Sequence, residues 1–358
     1  MNYKETLFFI GRCLTIPEDE QNFKEVSHLI KTNQVDWDEV VKLSSAHYVF
    51  TTLYCRLLNT DLIAFLPEEL VSYMKHLTEI NRDRNQQIIE QATELNLLLR
   101  QYNISPIFLK GTGNLLEGLY KDFGERMVGD IDFIIRPEDY EPTIKILKKY
   151  EYKKVHDHPQ LPGKHYPKLV KDGSIASVEI HKEMVKEPFE SSFNYGTIQN
   201  QVITINNFSF LGYEDQLALS IIAKQINDDG QYFNTISLRN AYDVFCLSQK
   251  VDAQTSIRKL EQIFDPLNNF LALCNLVVSE TITYQKNQES TQYLGTFNEL
   301  LHDAKSRKER YKKRKRKLLW KMRFEIIVKS FYKKEYRVWL LYTITSRRWL
   351  QAKFKSDS

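Results

Sequence analysis

The fold is decided by one stretch of the sequence, FLKGTGNLLEGLYKDFGERMVGDIDFII, at residues 108–135. It starts at the end of a short apolar run, 105–109, which follows a turn signal and is typical of a buried strand. The segment 110–113 contains two glycines, and residues 114–120 then predict a helix. Residues 130–135 alternate and then become continuously apolar, which predicts a second strand. A strand, a helix and a strand in this order indicate α/β structure.

After this stretch, the sequence predicts further helices and strands up to residue 181. The segments on both sides of this region predict helices. Residues 142–150 predict a helix, 153–174 a loop or irregular hairpin, and 177–181 a third strand with strict alternation. Upstream, Asp36 is suited to cap a helix that runs to residue 58, and a second helix covers about 68–100. Downstream, the helical period returns after residue 213 and continues to the C-terminus. We therefore predict a helix-rich α+β fold, with a small mixed-sheet domain at 103–212 flanked by helical segments at 1–102 and 213–300 and a basic amphipathic tail at 301–358.

The first candidates for a chemical site are Asp130 and Asp132. Because they are two residues apart on a strand, their side chains project from the same face, roughly 7 Å apart. Such a pair can bind Mg²⁺ or Mn²⁺, which take hard oxygen ligands. An Asp-x-Asp pair also occurs as plain surface acids or helix caps. Glu179, on the third predicted strand, would complete a triad of carboxylates.

Four further residues around this pair favour phosphate binding. Gly111 and Thr112 lie between a strand and a helix, where free backbone N–H groups and the helix dipole attract an anion. Lys110 and Arg126 flank the site, and their charges would neutralise a polyphosphate. Two alternatives remain open: Lys110 is a solvated lysine at a strand end, or Arg126 pairs structurally with Asp130. Taken together, the pattern indicates phosphoryl or nucleotidyl transfer.

His181 shares the strand face of Glu179, so it either orients the acceptor or serves as a base. The alternative is a core histidine with satisfied hydrogen bonds. Three histidines of the loop, His156, His158 and His165, fit no zinc spacing and indicate a substrate-facing loop or a merely solvated one. Arg239 and Asp243, four residues apart on a later helix, are expected to form an ordinary intrahelical ion pair.

Three segments together resemble the bacterial uncharacterised nucleotidyltransferase family, of the polymerase-β-type superfamily: FLKGTGNLLEGLYKDFGERMVGDIDFII, SVEIHKEM at 177–184, and WDEVVKLSSAHYVFTTLYCRLL at 37–58. The resemblance covers about residues 30–250. It implies Asp130, Asp132 and Glu179 as metal ligands, with Gly111 and Thr112 at the nucleotide phosphates. Where the family often has an aromatic residue after the histidine, this chain has Lys182.

Composition and cysteine usage limit the classes of protein to which the chain can belong. Hydrophobic residues make up 42% and charged residues 27% of the chain, as in ordinary globular proteins. The four cysteines are scattered without paired spacing, which favours a reducing cytoplasm. The N-terminal residues make a poor signal peptide, and no apolar run reaches the ~18 residues that crossing a bilayer requires. We expect a cytoplasmic protein, peripheral on the inner face of the membrane if its tail binds lipid.

The tail at 301–358 holds twelve lysines and eight arginines against five acids, a net charge of +15, while the preceding 300 residues carry −11. Trp320, Phe324, Ile327 and Phe331 form an apolar stripe at helical spacing within it. Such a segment can lie on an anionic membrane, bind RNA or DNA phosphates, or pack its stripe on the body of the protein.

These observations predict a metal-dependent nucleotidyltransferase that uses Mg²⁺ or Mn²⁺ and an NTP. Its acceptor, a small molecule, sugar, protein or RNA, is left open. The first alternative is a nucleotidyltransferase-type toxin acting on tRNA or protein. The second is a catalytically degenerate, membrane-associated scaffold that binds nucleotide, against which the intact set of three acids argues.

Overall fold

The computed structural model describes residues 1–346, so the last residues of the predicted tail, 347–358, lie outside the described part. Five helices precede the sheet: α1 (Tyr3–Cys13), α2 (Glu20–Lys31), α3 (Trp37–Ala46), α4 (Phe50–Leu58) and α5 (Glu68–Arg100). Asp36 caps α3 by accepting a hydrogen bond from the Glu39 backbone N–H, as predicted. The bounds of α5 also agree with the prediction.

The single helix expected to run from Asp36 to residue 58 is wrong, because α3 and α4 are separate. Tyr48 interrupts them with a φ of +57°, in the left-handed region. The turn redirects the chain so that α4, which is almost entirely buried, packs against α5 and α1. Neither glycine nor proline marks the turn, and apolar residues continue through it, so the pattern alone did not reveal the break.

The described residues 1–346 form seven strands, all between residues 107 and 210 and within the predicted α/β stretch. They are β1 (Ile107–Phe108), β2 (Asp130–Ile134), β3 (Lys153–Lys154), β4 (Leu169–Val170), β5 (Ser177–His181), β6 (Ile203–Ile205) and β7 (Phe208–Phe210). The sheet order is β3-β4-β5-β2-β1-β7-β6. β2 pairs parallel with β5, and β1 parallel with β7, while the other pairs are antiparallel. The mixed sheet is thereby confirmed, as is the hairpin in 153–174.

Strands β6 and β7 were not predicted. They form a hairpin whose two-residue turn is Asn206-Asn207, with φ of +50° and +66°. Two successive left-handed residues make the turn that matches the twist of paired strands, and asparagine tolerates this backbone. The flanking Ile-Thr-Ile and Phe-Ser-Phe alternation was therefore a hairpin signal in the sequence.

Helices cover the sheet and continue beyond it. Within the α/β stretch these are α6 (Lys110–Glu117), α7 (Tyr140–Lys149) and α8 (Tyr195–Ile198). The helices beyond it are α9 (Tyr213–Ile222), α10 (Gly230–Phe233), α11 (Leu238–Ser248), α12 (Ala253–Arg258), α13 (Phe264–Val277), α14 (Gln288–His302), α15 (Ala304–Tyr332) and α16 (Lys334–Thr345). One buried apolar cluster extends from Leu7 to Leu301, so sheet and helices share a core. Among residues 1–346, none of the helices combines the length and apolarity needed to cross a bilayer.

Candidate active site

The carboxylates predicted to act together lie on two adjacent parallel strands. Asp132 of β2 is in register with Glu179 of β5, and Asp130 with Ser177. Because side chains two apart on a strand share a face, all three acids converge on one side of the sheet. Asp132 and Glu179 are buried, whereas the Asp130 side chain is 34% exposed. The geometry therefore forms a carboxylate cluster with one accessible member.

Two lysine ammonium groups lie against the three carboxylates of this cluster. Lys110 Nζ lies 2.6 Å from Asp132 Oδ1, and Lys168 Nζ bridges Asp130 Oδ2 at 2.8 Å and Glu179 Oε1 at 3.0 Å. Although burial opposes ionisation, Lys110 and its neighbours hold the pKa of Asp132 well below its usual range. Burial likewise opposes the charge of Lys168, but its two carboxylate partners raise its pKa. Each of the three carboxylates therefore has a lysine ammonium group within ion-pair distance.

Lys168 was missed by the sequence analysis. It precedes β4 on the irregular hairpin, far along the chain from Asp130, and only the pairing of β4 with β5 brings it to the site. Of the three loop histidines, His165 also reaches the cluster, with Nε2 3.8 Å from Glu179 Oε2. His158 instead stacks on Tyr342. A polar loop of this length carries no signal for which of its residues turn inward.

His181 is 1% exposed and lies against the same acids. Its Nε2 is 2.8 Å from Asp132 Oδ1, and its Nδ1 is 3.2 Å from the Glu183 carbonyl oxygen. Both neighbours are acceptors, so a neutral ring donates to only one of them at a time. Burial and the charge of Lys110 lower the pKa of His181. The ring is therefore placed to hold the Asp132 carboxylate from behind.

Helix α6 begins at Lys110, four residues earlier than predicted, so Gly111 and Thr112 form its first turn rather than a loop. Lys110 has a φ of +53°, an uncommon and strained backbone for a lysine. The first-turn N–H groups of a helix have no intrahelical acceptor, which suits them to an anion. The Thr112 hydroxyl, in contrast, donates to the Asp130 carbonyl oxygen at 2.5 Å. Thr112 thus ties the helix to the carboxylate strand.

Arg126 forms its ion pair with Asp243 of α11, and not with Asp130. Nε and Nη2 each donate to one carboxylate oxygen at 2.8 Å, and the Tyr120 hydroxyl donates to the same carboxylate. The expected intrahelical pair between Arg239 and Asp243 is therefore wrong. Arg239 instead lies over the Tyr48 ring, 4.9 Å from its centroid. The reason is tertiary: a rigid, bidentate partner from another element takes up both oxygens.

A cavity of about 230 Å³ opens between the α/β stretch and the following helices. Its α/β side includes the predicted phosphate and carboxylate residues Lys110, Gly111, Thr112, Arg126, Asp130, Asp132 and Glu179, and its helical side includes Ser220, Asp228, Arg239 and Asn240. Lys164 also faces it, and burial together with Lys110 lowers the pKa of that amine to about 8. The wall near residue 223 is a π-helical segment, a local irregularity often found at functional sites. Seven of the eight predicted site residues thus line one cavity, and His181 lies directly behind it.

The donor set fits a divalent metal ion. One ligand atom each from Asp132, Glu179 and His181 lies within 4.8 Å of the others. Asp130 joins them through the bridging Lys168 rather than by direct contact. Carboxylate oxygens suit Mg²⁺ and Mn²⁺, whereas an imidazole nitrogen is more typical of transition-metal sites than of Mg²⁺ sites. His181 is therefore one of the three residues close enough together to contact a single cation.

The chain was compared with models of known protein families. A family model described as an uncharacterised nucleotidyltransferase matches residues 33–279, more than half of the chain. The match includes both carboxylate strands and the cavity-lining helices, and it stops before the basic tail. No curated protein and no solved structure matches the chain.

Proposed function

This chain belongs to the uncharacterised nucleotidyltransferase family, and we propose that it transfers a nucleotidyl group from an NTP to an acceptor in a reaction that depends on Mg²⁺ or Mn²⁺. The observation that carries the metal dependence is the convergence of Asp130, Asp132 and Glu179 at one cavity. Burying clustered carboxylates is costly, so their convergence favours a site that holds cations.

In this proposal the three acids hold the metal, and His181 keeps Asp132 in place by a hydrogen bond. A bound divalent ion would stabilise the negative charge of the reacting phosphates. Lys168 would then leave its position between Asp130 and Glu179, because like charges repel at such distances. Its release makes an ammonium group available at the edge of the cavity.

The basic side of the cavity would bind the NTP phosphates. Lys110, Lys164 and Arg239 line this side of the cavity, together with Gly111 and Thr112 of the first turn of α6. With a pKa of about 8, Lys164 is mostly protonated at pH 7 and can pair with a phosphate oxygen. Arg239 Nε is buried and has no hydrogen-bond partner among residues 1–346, so a phosphate oxygen would supply an acceptor for it.

The test combines thermal melting with nucleotide incorporation. We expect Mn²⁺ plus NTP to raise the melting temperature of the wild-type protein but not that of Asp130→Asn/Asp132→Asn, since ligands that bind only the folded state stabilise it. Each variant is compared with itself without ligand, because the substitutions also change its intrinsic stability. Asp172→Asn, an exposed acid on the hairpin with a 3.0 Å ion pair, is the matched control and retains the wild-type shift.

Transfer is measured with each α-³²P-labelled NTP and a cell extract, which also identifies the class of acceptor. Label appearing in RNA or protein together with growth arrest on expression would support the toxin alternative. A nucleotide-induced shift without any incorporation would favour the scaffold. Equal shifts in the double variant and the wild-type protein would refute the carboxylate assignment.

A further inference from the structure

The apolar stripe of α15 is fully presented on the protein surface. Trp320 is 70% exposed, Phe324 68% and Phe331 79%, and Ile327 between them is also exposed. Since an α-helix turns 100° per residue, these positions share one face about 16 Å long. Soluble monomers rarely leave a contiguous apolar surface of this kind uncovered unless it binds something.

The opposite face of the same helix attaches it to the body. Tyr311 packs on Phe233 with ring centroids 4.8 Å apart, and Lys329 pairs with Glu187. Both residues lie nine positions from Trp320, and at 100° per residue this places them on the opposite side of the helix. The stripe therefore points away from the body, and the alternative that it packs on the body is wrong for these side chains.

Basic residues extend and border the stripe. On the same face, Arg316 and Lys317 lie one turn before Trp320 and Lys313 lies two turns before it. Arg323 stacks over the Trp320 ring at 5.6 Å. From 313 to 331 the only acid is Glu325. It falls on the body-facing side and lies 3.8 Å from Lys321. The exposed face is thus cationic at one end and apolar at the other.

We propose that α15 lies on an anionic lipid surface, with the stripe among the upper acyl chains and the lysines and arginines at the headgroup phosphates. An interfacial helix needs both components, whereas nucleic-acid phosphates would engage the basic residues and leave the apolar stripe unused. A second copy of this chain is disfavoured as the occupant, because two tails of +15 repel each other. The lipid contact does not depend on nucleotidyl transfer.

Binding in this orientation would place a cleft that adjoins the candidate active site near the membrane. Lys329, on the body-facing side of α15, and Lys333, directly after the helix, line a cleft of about 670 Å³. Lys164 lines the same cleft and also the carboxylate cavity. An α15 held on lipid by its opposite face therefore keeps this cleft about one helix diameter, ~10 Å, from the bilayer surface.

Co-sedimentation of the full chain with vesicles tests the proposal. We expect binding to phosphatidylcholine vesicles that contain phosphatidylserine and little binding to phosphatidylcholine alone. Trp320→Ser/Phe324→Ser/Phe331→Ser should lower the partition coefficient by at least about tenfold, since three exposed apolar side chains no longer insert. Lys313→Glu/Arg316→Glu/Lys317→Glu should weaken it similarly, and added salt should weaken the wild-type binding.

The matched control is Ile80→Ser/Leu97→Ser, which removes two comparably exposed apolar side chains from α5 and should leave vesicle binding unchanged. Preference for RNA over anionic vesicles would overturn the proposal, as would equal binding by the stripe variant. A stripe variant that loses its cooperative melting transition would show that the stripe is core, and this also overturns it. A change in oligomeric state without vesicle binding would assign the face to a second copy instead.

Discussion

The buried ion pair between Arg126 and Asp243 allows a quantitative prediction for Asp243→Asn. Both side chains are buried, and two hydrogen bonds of 2.8 Å join them. The substitution leaves the Arg126 guanidinium without its countercharge and turns an amide N–H₂ toward one of its N–H donors. Arg239, which is half-buried nearby, then loses an attractive charge while it still faces the charge of Arg126.

Removing one partner of a buried ion pair costs about 3–5 kcal/mol. At an unfolding entropy of about 2.1 cal/mol/K per residue, this corresponds to a melting temperature about 4–7 °C lower for a chain of this length. Thermal melting followed by circular dichroism, with urea unfolding as a second measure, would detect such a loss. Asp172→Asn, which breaks an exposed pair, should leave the melting temperature unchanged within error.

The double variant Arg126→Met/Asp243→Asn removes both charges and keeps an acceptor for the Tyr120 hydroxyl. We expect it to recover most of the lost stability, because replacing both members of a buried pair is often neutral. Its nucleotide affinity then measures any direct contribution of Arg126 to phosphate binding. An Asp243→Asn protein that melts like the wild-type protein would refute the reasoning, and so would a double variant less stable than the single one.

Two further predictions concern α6 and His47. A Cβ at Gly113 would lie 2.7 Å from the Phe108 carbonyl oxygen, whereas at Gly111 it would lie 3.3 Å from a side-chain methyl of Val128, on the cavity wall. Gly113→Ala should therefore lower the free energy of unfolding by about 1–3 kcal/mol. Gly111→Ala should melt near the wild-type temperature but bind NTP more weakly. A destabilised Gly111→Ala protein beside a Gly113→Ala protein of wild-type stability, measured by thermal melting and nucleotide titration, would contradict this assignment. Burial, aided by the charge of Lys224, lowers the pKa of His47 from 6.5 to about 4, so the folded state keeps the ring neutral. This group therefore does not reduce the free energy of unfolding above pH 6.5, but it reduces it by up to about 3 kcal/mol as the pH falls toward 4, because the unfolded state then binds a proton that the folded state does not. Urea titrations should show a smaller loss of stability in acid for His47→Gln than for the wild-type protein.

Local patterns were enough to predict much of this fold. The spacing of apolar residues within an element shows which of its faces is buried. This spacing predicted the strands at 130–135 and 177–181 and the long helix at 68–100. The same period-2 rule placed Asp130 and Asp132 on one face and His181 on that of Glu179. The break at Tyr48 escaped because a left-handed tyrosine has no compositional signal, and the β6–β7 hairpin was missed although its Asn206-Asn207 turn was visible.

By itself, the sequence determined the carboxylate strands, the helix-rich class and the polarity of the tail, since each follows from the spacing of a few adjacent side chains. Only the tertiary structure decided the partners of those side chains. Lys168 lies between Asp130 and Glu179 because β4 pairs with β5, and Arg126 pairs with Asp243 because α11 packs beside it. Likewise, the exposure of the Trp320 stripe depends on which face of α15 the body covers. Ion pairs and packed faces join residues distant in sequence, and no local spacing encodes which of several charged or apolar candidates will meet.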